Sequence, residues 1–271
     1  MSTYQTPGAT TLRLRLAAGE IEVTTGDVAA TTVQIDVLRG DPSAADEVFQ
    51  GSRPTVDGGT EVRVEAPTRT KLFGREPVYR FRLTAPNGSK LEARTVSGGI
   101  RARGRFGSAD LRTTSGSIDA ERVEGHASAR TASGSIEFAD IGGDAEARTV
   151  SGSIRIGRVG GALRANSVSG SIETGAARGI VSAQTVSGRV AIERLGAGDA
   201  RFRSVSGSVA LAIEPGLRIW MDVASTSGRT TSELSPDEGP AAGGETPSLE
   251  LRVNTVSGSV HLAIAPKATA A

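Results

Sequence analysis

Apolar and polar residues alternate along most of the chain, and a returning Ser-Gly pair punctuates the alternation. Taking that Ser as position zero, position −6 holds Leu91, Ala109, Ala127, Ala145, Leu163, Val181, Ala200, Met221 and Leu251. Position −4 holds Ala93, Leu111, Ala129, Ala147, Ala165, Ala183, Phe202, Val223 and Val253. Position −3 is polar in every copy except Ala224, beginning with Arg94, Arg112, Arg130 and Arg148. A period of two predicts a strand. A second short strand follows the pair, with Ile100, Ile118, Ile136, Ile154, Ile172, Val190 and Val209 at +3. A further apolar position, +8, holds Val123, Ile141, Val159 and Leu195, and Gly returns at +10.

The pair stands at Ser97, Ser115, Ser133, Ser151, Ser169 and Ser187 in steps of 18, then at Ser206, Ser227 and Ser257 in steps of 19, 21 and 30. A fixed period near 20 residues is the mark of a solenoid, each coil stacked on its neighbour. The predicted fold is therefore all-β, a single-stranded parallel β-helix (a β-solenoid) of coils 18 residues long. The general crossover preference of parallel strands makes right-handed coiling the expectation. At about 3.3 Å per residue the coil perimeter is ~60 Å at most. That thin core explains the small residues at −4 and −6. The corner glycine is expected to supply a positive φ. Thr or Ser at −2 in all nine copies is expected to form a ladder whose hydroxyls bond one another.

Residues 1–90 lack the phrase. Leu12, Leu14 and Leu16, then Ile21 with Val23, Val33 with Ile35 and Val37, Val62 with Val64, and Tyr79, Phe81 and Leu83 predict short strands. A short helix is predicted at 41–51, with Asp41 as N-cap, Pro42 at the first helical position and Gly51 at the end. A solenoid end needs cover for its strand edges, so residues 1–90 are read as an N-terminal cap. Residues 91–264 form the repeats, with an exposed Pro/Gly-rich loop inserted at 232–248 and a frayed tail at 265–271.

Composition removes several chemistries. There is no Cys, so no disulfide, thiolate nucleophile or Cys-based zinc site is available. The two histidines, His126 and His261, fall in coils far apart in sequence, which argues against a His-centred triad or a two-His metal site. No metal site and no cofactor are expected. Net charge is +1, giving no general attraction to nucleic acid or anionic membrane. Acidic Glu92, Asp110 and Glu146 at −5 offset the Arg column at −3, and nucleic-acid binding is not expected. No run approaches the roughly 18 apolar residues of a membrane span, and the first residues carry no basic-then-apolar leader, so the expectation is a soluble, cytoplasmic chain.

Two surface features remain. At +4, Asp119 and Glu137 lie on adjacent coils, a separation that suits a retaining glycosidase pair. Arg101, Arg155 and Glu173 share the column, and the simpler reading is a charge ladder, Arg101–Asp119 and Glu137–Arg155–Glu173. Phe138 is predicted to be internal, leaving no aromatic sugar platform there. At −1 stand Val96, Val150, Val168, Val186, Val205 and Val256. Alternation turns them outward beside the Arg column, as a long apolar stripe suited to a partner. A kink before Ser-Gly would instead tuck them into the core, and because corners often break alternation we expect the tuck.

With its T-V-S-G-S-I repeats and the lead-in "APNGSKLEARTVSG" at 85–98, the chain resembles a bacterial β-strand-repeat family of unknown function that carries the label "putative adhesin" and is related to toastrack-type domains. The resemblance covers about residues 10–264. It implies a β-helix, again right-handed, and no established enzymology. The functional expectation is a non-catalytic interaction module with a protein partner, presented on Val96, Val150, Val168, Val186, Val205, Arg94, Arg112, Arg130 and Arg148. One alternative is a surface adhesin that binds glycan. A second is a polysaccharide-active enzyme using Asp119 and Glu137.

Overall fold

The computed structural model describes residues 2–40, 48, 54–57, 59–66, 77–234 and 247–266. They form an all-β chain divided into two compact units, Met1–Gly143 and Asp144–Ala271. The short helix predicted at 41–51 lies outside the described residues, apart from the buried Val48. Most of the loop predicted at 232–248 and of the tail lies outside them too. No helix among the described residues is long and apolar enough to cross a membrane.

Among the Ser-Gly repeats of the first unit the strands stack in parallel with residues 18 apart opposite one another: Leu91 on Ala109 on Ala127, and Ile100 on Ile118 on Ile136. Identical positions of the repeat therefore share a column, and those at −6, −4, +3 and +5 are buried. The segment read as a cap contains two kinds of strand. Thr11–Gly26 is itself a coil, pairing in parallel with Lys90–Phe106 so that Leu12 meets Leu91, Gly19 meets Gly98 and Ile21 meets Ile100. Gly59–Glu65 and Val78–Pro86 pair in parallel with its other edge. The first coil in sequence is thus held between two later ones. Antiparallel strands then cover the outer edge. Ala30–Arg39 lies on Val78–Pro86, Ser2–Gln5 on Ala30–Arg39, and Pro54–Asp57 on Gly59–Glu65.

The second unit repeats the device at its C-terminal end. Ala147, Ala165, Ala183 and Phe202 make one column, and Ile154, Ile172, Val190 and Val209 another. The next layer is not the next in sequence. Val253 pairs with Phe202, and Val260 with Val209. Ile219–Ser225 and Thr230–Ser232 lie beyond them, on Leu249–Thr255 and Val260–Ile264. Sequence order alone places the Ser227 coil before the Ser257 coil; in space the two are exchanged. The 30-residue step between those serines provides the length of chain that a return needs.

The repeated corner has a different cause from the one predicted. A Cβ on Gly116 would overlap the carbonyl oxygen of Gly98, one on Gly188 that of Gly170, and one on Gly207 that of Gly188. Backbone stacks on backbone at the corner, and a side chain there has no room. Positive φ occurs at Gly134 (148°) and Gly152 (156°) but not at most of the corner glycines, so it is not the common cause. Nor do the hydroxyls at −2 bond one another. Thr113 Oγ1 donates to the Gly98 carbonyl and Thr131 Oγ1 to the Gly116 carbonyl, each at 3.1 Å and one coil back. Thr185 repeats the bond to Gly170 at 3.4 Å.

Three of the buried phenylalanines share a coil with small buried residues. Phe106 shares a coil with Ala93 and Ala102, Phe138 with Ala127 and Ala129, and Phe202 with Ala200, all buried. Large against small at facing positions keeps the packing dense.

Candidate binding groove

Strand alternation runs unbroken up to the corner. Residues at −4 and −2 turn in, and those at −3 and −1 turn out. The valines at −1 are therefore at the surface, and the kink expected to bury them does not occur. In the second unit Val150, Val168, Val186, Val205 and Val256 are 53, 44, 44, 47 and 50% exposed, and they stand on successive coils. Strand spacing sets them about 4.8 Å apart. In the first unit Val96 is 58% exposed, followed at the same position by Thr114 and Ala132.

Beside the stripe, position −3 changes character within the second unit. Arg148 gives way to Asn166, Gln184, Arg203 and Asn254. Between the two rows lies an open groove of about 590 Å³. Asn166, Gln184, Arg203 and Asn254 line one wall, Val186, Val205 and Val256 the other, and Ser167, Thr185, Ser204 and Thr255 the floor. Amides can donate and accept, the valines offer apolar contact, and the row carries little charge.

The Arg column is largely neutralised by its neighbours. Arg112 pairs with Asp110 at 3.0 Å, Arg94 reaches the same carboxylate at 4.0 Å, and Arg148 pairs with Glu146 at 2.6 Å. Arg130 is also engaged. Acid at −5 and Arg at −3 lie on one face two residues apart, which is the geometry such pairs need.

Asp119 and Glu137 are register neighbours as predicted, and Phe138 is internal. The predicted Arg101–Asp119 pair does not form. Arg101 turns to Glu22 at 3.1 Å and Glu20 at 3.8 Å, carboxylates supplied by the coil that sequence reading took for a cap. Arg103 holds both oxygens of Asp119 instead. Arg155 and Glu173 pair at 3.1 Å as predicted. His126 is exposed, and His261 Nδ1 lies 3.1 Å from Thr231 Oγ1. Among the described residues no group of three or more His, Cys, Asp or Glu could hold a metal ion.

The amide row is the part of the site that sequence reading missed. Its signal was the change from Arg to Asn and Gln at −3 after Ser151, next to a valine column already suspected.

The family model for Toastrack DUF4097 matches residues 4–189. No curated protein matches the chain. Several solved structures are similar at a distance, two of them as follows. One, from Clostridium sporogenes, is of a "putative cell adhesion protein": 11% identity over 96% of this chain and 97% of that one, TM-score 0.29. The other, from Bacteroides fragilis, is of a "putative adhesin": 12% identity over 96% of this chain and 95% of that one, TM-score 0.36.

Proposed function

The chain belongs to the Toastrack DUF4097 family, and on that footing we propose that it is a non-catalytic binding module built on a right-handed parallel β-solenoid. The parallel, in-register columns support the solenoid, and the crossover preference supports the hand. The observation that carries the function is the valine stripe over five successive coils, about half exposed throughout, with an amide row beside it. Free valine side chains at that density are costly to leave in water and are the usual material of a partner surface. The partner we favour is a protein, with the valines as its apolar contact and the amides fixing its register.

Glycan binding is the second reading, and the amides Asn166, Gln184 and Asn254 are the observation that favours it, since they suit sugar hydroxyls. Against it, no aromatic residue lines the groove. Catalysis at Asp119 and Glu137 is weaker, because the Asp119 carboxylate is already held by Arg103. The experiment is capture of ligands by wild type beside a Val186→Glu/Val205→Glu variant, with a glycan array run on the same two proteins. A protein lost by the variant supports the first reading; a glycan lost by it supports the second.

A further inference from the structure

Among the described residues the outermost coil of the second unit has an open edge. Ile219–Ser225 and Thr230–Ser232 each pair with one strand, and among the described residues nothing pairs with their other edge. Met221 stands in register with Leu251 and Val223 with Val253. Leu251 and Val253 are fully buried, whereas Met221 is 43% exposed and Val223 half-buried. Trp220, on the other face of the strand, is 46% exposed, with the Arg252 guanidinium 5.1 Å from its ring centre. The same columns that are core one layer in are surface here.

Among the described residues the backbone of this strand also has partners on one side only. The Arg218 carbonyl accepts from the Leu249 N–H, and the Thr226 N–H donates to the Thr255 carbonyl. By the alternation of a parallel ladder, residues 220, 222 and 224 turn their backbone groups to the same neighbour. Ile219, Met221, Val223 and Ser225 turn theirs to the open edge. Edge strands are usually blunted by Lys, Pro or a bulge. Ile219–Ser225 carries none of these, and Asp222 is its one charged residue. The outer edge of the first unit, in contrast, is covered by antiparallel strands.

We propose that this edge is a self-association surface, on which a second copy of the chain lays its own Ile219–Ser225 antiparallel about a two-fold axis. With the axis perpendicular to the strand the two copies run antiparallel, and one patch serves both. Charge selects the register. Centring the pair on Asp222 would oppose two carboxylates. Centring it on Trp220 sets Asp222 of each copy opposite Arg218 of the other, at positions without main-chain bonds, where side chains come closest. The five donors of a guanidinium let Arg218 take that contact while keeping its present ones. The same register places Ile219 against Met221 on the inner face and the two Trp220 rings side by side on the outer one.

Sedimentation of the whole chain over a wide range of concentration tests this. The expected result is a reversible species of twice 27.7 kDa. Met221→Pro removes an N–H that points to the open edge and leaves the ladder to Leu249–Thr255 intact. It is expected to weaken the dimer by at least about tenfold with an unchanged circular dichroism spectrum. Asp222→Arg is expected to weaken it similarly, and Arg218→Asp/Asp222→Arg to restore it. A chain that stays monomeric at every concentration overturns the proposal, as does a folded Met221→Pro variant that dimerises like wild type. A charge-swapped double variant no tighter than Asp222→Arg overturns it as well.

Discussion

Thr131 Oγ1 donates to the Gly116 carbonyl oxygen, 3.1 Å away and one coil back. Three residues on from Thr131, a Cβ on Gly134 would overlap that same oxygen. The two residues fix one atom from two sides, by a bond and by an exclusion. This is why the phrase repeats. Each corner is shaped by the corner beneath it: the stacked backbone excludes a side chain at the glycine, and the hydroxyl adds a bond at Thr113, Thr131 and Thr185 but not at Thr95, Ser167 or Thr255.

Replacing one corner glycine should therefore cost far more than a generic glycine change. Gly188→Ala forces a methyl group into the Gly170 carbonyl, and we expect a loss of about 2–4 kcal/mol. Gly26→Ala, whose Cβ would meet nothing within 4 Å, should change stability by less than about 0.5 kcal/mol. Urea unfolding of both, with the midpoint shifting at constant slope, checks the contrast. Equal effects would mean the corners do not stack closely.

Removing the hydroxyl tests the other side of the same atom. Thr131→Val keeps the shape but leaves the Gly116 carbonyl without that donor, at an expected cost of about 1 kcal/mol. Thr131→Ser keeps the donor and should recover most of it. A Ser variant as unstable as the Val variant would assign the effect to packing instead.

Much of this architecture was legible in the sequence, because a coil in register with its neighbours repeats its chemistry. The period gave the strands, and alternation named Leu111, Ile118 and Phe138 as core correctly. The coil at Thr11–Gly26 was not recognised, since Ala18 stands where the phrase has Ser. Leu12, Leu14, Gly19, Ile21 and Val23 nevertheless occupy the repeat's apolar and glycine positions. Reading from the glycine, which stacking demands, rather than from the serine would have found it. The exchange of the last two coils left no local signal, because Val223 and Val253 fill the same position equally well. The valine column was misjudged for a physical reason. The turn begins at the glycine, so alternation survives through −1 and Val150 stays outside.

That alternation makes a sharp prediction four residues apart. Val186→Glu, at an exposed position, should shift stability by no more than about 1 kcal/mol. Val190→Glu puts a carboxylate into the core at a position with 0% exposure, and should unfold the protein or cost more than about 3 kcal/mol. Thermal melts of the two variants decide it. A destabilised Val186→Glu would return the column to the core.

The charge ladder should matter little to stability. Arg103 and Asp119 are 51 and 33% exposed, so Asp119→Asn is expected to cost less than about 1 kcal/mol, and less still in high salt. A loss of several kcal/mol, or of a hydrolytic activity present in wild type, would show that this carboxylate does more than pair.

The central claim is that the valine and amide rows bind a partner, and capture from lysate of the source cells tests it most directly. Wild type and Val186→Glu/Val205→Glu, both verified as folded by circular dichroism, serve as baits, and bound proteins are quantified by mass spectrometry. The account predicts at least one protein retained by wild type, depleted about tenfold or more on the variant, and bound by wild type again when purified alone. A partner held equally by both baits would contradict it and move the binding surface off the groove.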